Sequence, residues 1–136
     1  MRELIETVGA PAPVGPYSVG VATDSLLFCA AQAGIDPRTG ALVPGGTGPE
    51  TERAMRNLAA VLDAGGLSFA DVVKSTVFLV DIADFGVVND VYGRLIGDSP
   101  PARTTIAVAA LPVGARIEIE MIAARRVTPG RLVSSI

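Results

Sequence analysis

Between residues 47 and 66 the chain reads TGPETERAMRNLAAVLDAGG, and Ala54, Met55, Leu58, Ala59, Val61 and Leu62 recur at three- and four-residue intervals. That period is one face of an α-helix, and it is the clearest element in the sequence. Pro49 suits the first turn, Thr47 or Gly48 is available as a cap, and Glu50 and Glu52 favour the positive end of the helix dipole. Gly65–Gly66 then stops the helix. Ahead of it, DSLLFCAAQAGI reads as a buried strand of small residues, closed by the turn DPRTG from Asp36 to Gly40. After it, DVVKSTVFLVD at 71–81 is β-branched and apolar on both faces, which suits a central strand.

A second helix is predicted in ADFGVVNDVYGRLIGD, where Phe85, Val88, Val91, Tyr92 and Leu95 share a face and Asp81 or Asp84 can cap. Gly86 and Gly93 weaken it. Two strands follow the SPPA loop, at 103–110 and about 115–125, joined by LPVG as a hairpin. The first residues offer a short edge strand and then a Pro/Gly-rich crossing through Pro11, Pro13 and Pro16. The order β, β, α, β, α, β, β describes an α/β domain with a mixed sheet and both helices on one face. One domain is expected over residues 1–126, with 127–136 as a C-terminal extension.

Alternation within the last strand places Ile117, Ile119 and Met121 on one face and Arg116, Glu118 and Glu120 on the other. In the strand before it, Arg103, Thr105, Ala107 and Ala109 share a face. If residue 110 pairs with 115, Ala107 lies opposite Glu118 and Thr105 opposite Glu120. Arg103 would then sit on the same face, about four positions and roughly 13 Å from Glu118. A guanidinium among small neighbours calls for a planar anion, and a carboxylate matches its fork. The competing reading is a solvated face whose charges keep the sheet soluble, which suits Arg116 and Glu120 better than Arg103.

Composition narrows the chemistry. The chain has 136 residues, 49% apolar and 18% charged, enough for one globular domain with its own core. It contains no histidine, so serine–histidine and cysteine–histidine catalysis are excluded within it, along with the commonest zinc ligand. Acid–base work must fall to carboxylate, tyrosine, lysine, backbone or water. The single cysteine, Cys29, excludes an internal disulfide and reads as inert core. A net charge of −3 with 4% aromatics speaks against nucleic acid as a partner. No run approaches the ~20 apolar residues of a membrane span, and MRELIETVGAPAP carries charge where a signal peptide needs an apolar segment. A soluble, cytoplasmic protein is expected.

GPYS at 15–18, VVKSTVFLVDIADFGVVNDVY at 72–92, PPAR at 100–103 and IEIEMIA at 117–123, taken in order, resemble the reactive intermediate deaminase family. This is the RidA or YjgF-type family, also called L-PSP endoribonucleases, and the resemblance runs from about residue 9 to 126. It implies a chorismate-mutase-like fold and a homotrimer with sites between adjacent subunits. It also implies cofactor- and metal-free hydrolysis of enamines and imines such as 2-aminoacrylate to 2-oxoacids and ammonia. By position, the resemblance gives Arg103 the substrate carboxylate and Glu118 the hydrolytic water, to position or activate. Tyr17 and Asn89 match pocket residues, although a tyrosine is as readily a packing residue and an asparagine a plain helix-surface amide.

Two departures bear on specificity. The family's common SGQ is Ala30-Ala31-Gln32 here, which removes a hydroxyl and puts Ala31 where a glycine backbone approaches the ligand. Thr105 replaces a cysteine at a position that contributes partly through its backbone carbonyl. Ala31 and Thr105 therefore join the substrate-binding set, and an altered substrate is expected. The alternatives are a non-catalytic trimer binding small carboxylates or 2-oxoacids, and a pathway-specific member acting on a larger imine or enamine. RNA cleavage is opposed by the acidic balance and the missing histidine.

Overall fold

The structure is a computed structural model that describes residues 1–125. Six strands form one mixed sheet: β1 (Glu3–Ile5), β2 (Gly20–Ala22), β3 (Leu26–Ala33), β4 (Val72–Leu79), β5 (Ala102–Ala107) and β6 (Ile117–Ala124). Two α-helices, α1 (Thr47–Ala64) and α2 (Phe85–Ile96), pack on one of its faces. The strand order is β1-β2-β3-β6-β4-β5, with β4 and β5 parallel and every other pair antiparallel. The expected extension at 127–136 lies outside the described residues.

Two expectations about the strands are corrected. The stretch after the Pro/Gly crossing forms a strand of its own, β2, pairing β1 with β3. Three residues flanked by turn-formers give too short an alternation to stand out. More consequentially, β5 and β6 do not form a hairpin. β6 inserts between β3 and β4, while β5 lies at the sheet edge beyond β4. Burial explains the choice: Ile117, Ile119, Met121 and Ala123 of β6 are all in the core, whereas Ala102, Thr104, Ile106 and Ala107 of β5 are exposed. A central position satisfies β6, and α2 supplies the crossover that parallel pairing of β4 and β5 requires. The chain returns to the sheet centre through the turn Pro112–Gly114, where Val113 and Gly114 both take positive φ (57° and 73°).

Under the helices, Met55, Leu58, Val61 and Leu62 of α1 and Val88, Tyr92 and Ile96 of α2 meet Leu27, Val77, Leu79, Ile117, Ile119 and Met121. The opposite sheet face is uncovered and shows Phe28 and Ile106, each 42% exposed. Lys74 and Thr104 are hydrogen-bonded on that face, at 2.7 Å. The helix starts differ in detail from expectation. Gly46 is the N-cap of α1 without a side-chain cap, and the Thr47 hydroxyl instead donates to the Asp84 carboxylate (2.6 Å), joining the starts of both helices. Phe85 leaves the core stripe of α2 and is 42% exposed. Among the described residues no helix is long and apolar enough to cross a membrane.

Candidate active site in two halves

The first half is a cavity of about 590 Å³ whose wall includes Tyr17, Ala30, Ala31, Gln32, Val113 and Glu118. A bulge in β3 shapes it. Cys29 pairs with Met121 and Gln32 with Ile119, so Ala30 and Ala31 together oppose the single residue Glu120. Two residues against one bend the strand and re-aim its side chains. Glu118 sits between Ala33 of β3 and Phe78 of β4. It is half-buried, lost hydration raises its pKa above the ordinary 4.5, and among the described residues no cation pairs with it. A carboxylate so placed holds protons more readily than one in water.

Helix α1 fixes the backbone around Glu118. The Asn57 amide donates to the carbonyls of Ala33 (3.2 Å) and Ile35 (2.9 Å), and its own oxygen accepts from Arg53 Nε (3.0 Å). Glu50, buried and in the first turn, accepts the Arg116 amide N–H (2.9 Å), two residues before Glu118. Gly34 packs so tightly on Glu50 that a Cβ there would lie 2.5 Å from the Glu50 Cα. Only a missing side chain permits that approach. Tyr17 is half exposed, and its hydroxyl accepts the Val14 N–H at 3.3 Å.

The second half surrounds Arg103 at the sheet edge. Its Nη2 donates to Asn89 Oδ1 (2.6 Å), and its guanidinium carbon lies 4.9 Å from the Tyr92 ring centroid and 5.6 Å from that of Phe85. Residues 85, 89 and 92 share one face of α2, so an amide flanked by two rings forms the cradle. No carboxylate forms an ion pair with Arg103 among the described residues. A smaller cavity of about 330 Å³ lies alongside, lined by Asn89, Tyr92, Pro100, Pro101 and Arg103. Thr105 follows on the Arg103 side of β5, opposite Val77, and lines neither cavity.

The structure thus groups Tyr17, Ala31 and Glu118 in one place and Asn89 and Arg103 in another. The expected register, with Arg103 and Glu118 on one face, is overturned by the strand order. Arg103 pairs with Ser75, whose side chain meets α2, and Glu118 pairs with Phe78, three positions on and facing the other way. Two strand spacings of ~4.8 Å and three rises of ~3.3 Å separate their backbones by roughly 14 Å. The sequence reading also passed over Tyr92 and Phe85, counting both as apolar stripe. A tyrosine facing a helical core needs a partner for its hydroxyl, and that was the available signal.

Residues 7–125 match the Endoribonuclease L-PSP family. The 2-iminobutanoate/2-iminopropanoate deaminase of Bos taurus is 49% identical over 123 residues, covering 90% of each chain. A solved Thermotoga maritima chain superposes with a TM-score of 0.90 at 47% identity, covering 93% of this chain and 100% of its own. E. coli TdcF, solved with bound serine, superposes with a TM-score of 0.88 at 36% identity, covering 91% of this chain and 99% of its own. The chain belongs to the Endoribonuclease L-PSP family, to which its motifs and their order had already pointed.

Proposed function

We propose that this protein hydrolyses small 2-imino acids, and the 2-enamino acids that tautomerise to them, to 2-oxoacids and ammonia. The observation that carries it is Arg103: a guanidinium held by an amide and two rings, with no acid neutralising it among the described residues. Such a group is prepared for a planar anion from outside, and a substrate carboxylate fits its fork. The similarity to an imine deaminase, and to a chain solved with a carboxylate-bearing amino acid, supports that choice.

The site is assembled between copies in a homotrimer. Within one chain, Arg103 and Glu118 face away from each other, and the open sheet face exposes Phe28 and Ile106. A threefold ring lets each copy offer one half to each neighbour, which a heterologous, closing interface does naturally. Arg103 of one copy binds the carboxylate and fixes the C=N carbon, lowering the entropic cost of attack. Tyr17 and Ala31 of the adjacent copy line the cavity, while Asn89 steadies Arg103 and Thr105 follows it on the same strand.

The chemistry balances without oxidant or reductant. Water adds to the iminium carbon as Glu118 accepts one of its protons, giving a carbinolamine. Glu118 returns that proton to nitrogen and takes the hydroxyl proton as the C–N bond breaks, so the carbonyl forms and ammonia leaves, carrying the last proton away as ammonium. The iminium is already electrophilic, so one carboxylate and one anchoring cation suffice. RNA is not proposed as substrate: the chain carries a net charge of −3 and lacks histidine.

The test generates 2-iminobutanoate in situ with an amino-acid oxidase and follows ammonia and 2-oxobutanoate release. The parent should exceed the spontaneous rate, and Arg103→Ala should not. Tight binding of 2-oxobutanoate without turnover would favour a carboxylate-binding trimer instead.

A further inference from the structure

We infer that Tyr92 is a positioning residue for Arg103, its ring a platform anchored by Ser75 beneath the guanidinium. This rests on the assignment of Arg103 to the substrate carboxylate. The Tyr92 hydroxyl lies 2.7 Å from Ser75 Oγ, and both residues are buried, Ser75 fully. Ser75 is also the residue that Arg103 faces across the parallel ladder of β4 and β5. The arrangement closes on itself: strand pairing ties Arg103 to Ser75, a hydrogen bond ties Ser75 to Tyr92, and the Tyr92 ring meets the guanidinium carbon at 4.9 Å.

The chemistry of the platform matters as much as its place. A carboxylate here would hold the guanidinium equally well but would occupy the donors an incoming anion needs. An aromatic face attracts the cation through its quadrupole and leaves the edge N–H groups free to donate. Burial raises the phenol's pKa above its ordinary 10, while the Ser75 bond and the Arg103 charge pull the other way. Tyr92 therefore stays a neutral ring at physiological pH. Asn89, one turn earlier, takes one Nη2 donor and fixes rotation about the stack. The exposed Phe85 ring, farther off at 5.6 Å, bounds the solvent side.

The experiment compares kcat and KM on 2-iminobutanoate for the parent, Tyr92→Leu, Tyr92→Phe, Ser75→Ala and Arg103→Ala. Loss of the platform in Tyr92→Leu should raise KM by about 3- to 30-fold while kcat changes less, since it loosens the group that binds the carboxylate. Tyr92→Phe keeps the ring and should recover most of that loss. Ser75→Ala should match Tyr92→Phe, and their double variant should equal either single, because both remove one hydrogen bond. Should Tyr92→Leu not fold, the Ser75→Ala and Tyr92→Phe cycle carries the test: each should raise KM by the same smaller factor, with no further rise in the double variant.

A parental KM in Tyr92→Leu, or a fall in kcat at unchanged KM, overturns the inference. So do Ser75→Ala and Tyr92→Phe effects that simply add. If Arg103→Ala is impaired while the Tyr92 variants keep the parental KM, only the positioning role falls. If Arg103→Ala is itself unimpaired, the carboxylate assignment falls and takes this role with it.

Discussion

Arg103 and Glu118 point to opposite sides of the same sheet, because Arg103 pairs with Ser75 and Glu118 with Phe78 on the β4 strand between them. Three residues along a strand reverse the facing, so the relationship is fixed by the backbone and not by rotamer choice. A guanidinium and a carboxylate so separated form no ion pair. Each keeps its charge available, and in the proposed assembly each depends on another copy to supply what it lacks.

Removing the guanidinium isolates its half of the site. Arg103→Ala should lower kcat/KM on 2-iminobutanoate by about 10²- to 10³-fold, the range for truncating a buried charged hydrogen-bonding partner. Arg103→Lys should recover little, since an ammonium neither forks onto a carboxylate nor lies flat on Tyr92. Steady-state kinetics with the oxidase-coupled assay reads both.

Glu118→Gln should lower kcat by about 10²- to 10⁴-fold if the carboxylate moves the proton. In the parent, activity should fall as pH drops through the pKa of Glu118, at an inflection above the ordinary 4.5 because burial raises it. The variant should lack that acid limb. Stability runs in the opposite sense. A pKa raised in the folded chain means the charged carboxylate costs stability, starting above the ordinary value and fully above the raised one. Glu118→Gln should therefore melt higher than the parent at neutral pH and lose that advantage below about pH 4. Melting curves across pH test the sign.

Gly34 admits no side chain, since a Cβ would sit 2.5 Å from Glu50 Cα and 2.7 Å from its carbonyl oxygen. Both obstacles include backbone and cannot swing aside. Gly34→Ala should destabilise the fold by about 1–3 kcal/mol or more. It should also disturb the Glu50 bond to Arg116 N–H, so kcat/KM should drop in the surviving folded fraction. Denaturant titration gives the first quantity and kinetics the second.

Burial pushes the Cys29 thiol up to about 12. Almost no thiolate exists at pH 8, and the side chain lies under the helices. Iodoacetamide at pH 8 should leave native protein unmodified and label it fully in guanidinium chloride. Rapid labelling of the folded protein would contradict the placement of β3.

Much of this was legible in the sequence. The long stripe from Ala54 to Leu62 and the doubly apolar run at 72–79 gave α1 and β4 because both follow strong local periods. The order of GPYS, PPAR and IEIEMIA pointed to Arg103, Glu118 and Tyr17. Strand adjacency was not legible. LPVG between two strands has the length of a hairpin, and nothing local reveals that β6, rather than β5, fills the sheet centre. The assumed hairpin then placed two charges on one face. Ser75 and Tyr92 went unnoticed for a related reason: they meet through a parallel crossover, where sequence distance carries no pairing information.

Subunit mixing tests the shared site most directly. Arg103→Ala and Glu118→Gln, each inactive alone, are unfolded together in equal amounts, refolded and assayed, with mixed oligomers verified by mass. If each site takes Arg103 from one copy and Glu118 from its neighbour, random trimers restore an intact pair at about a quarter of their sites, and a comparable fraction of parental activity returns. Verified mixed oligomers that remain inactive would contradict a site shared between copies.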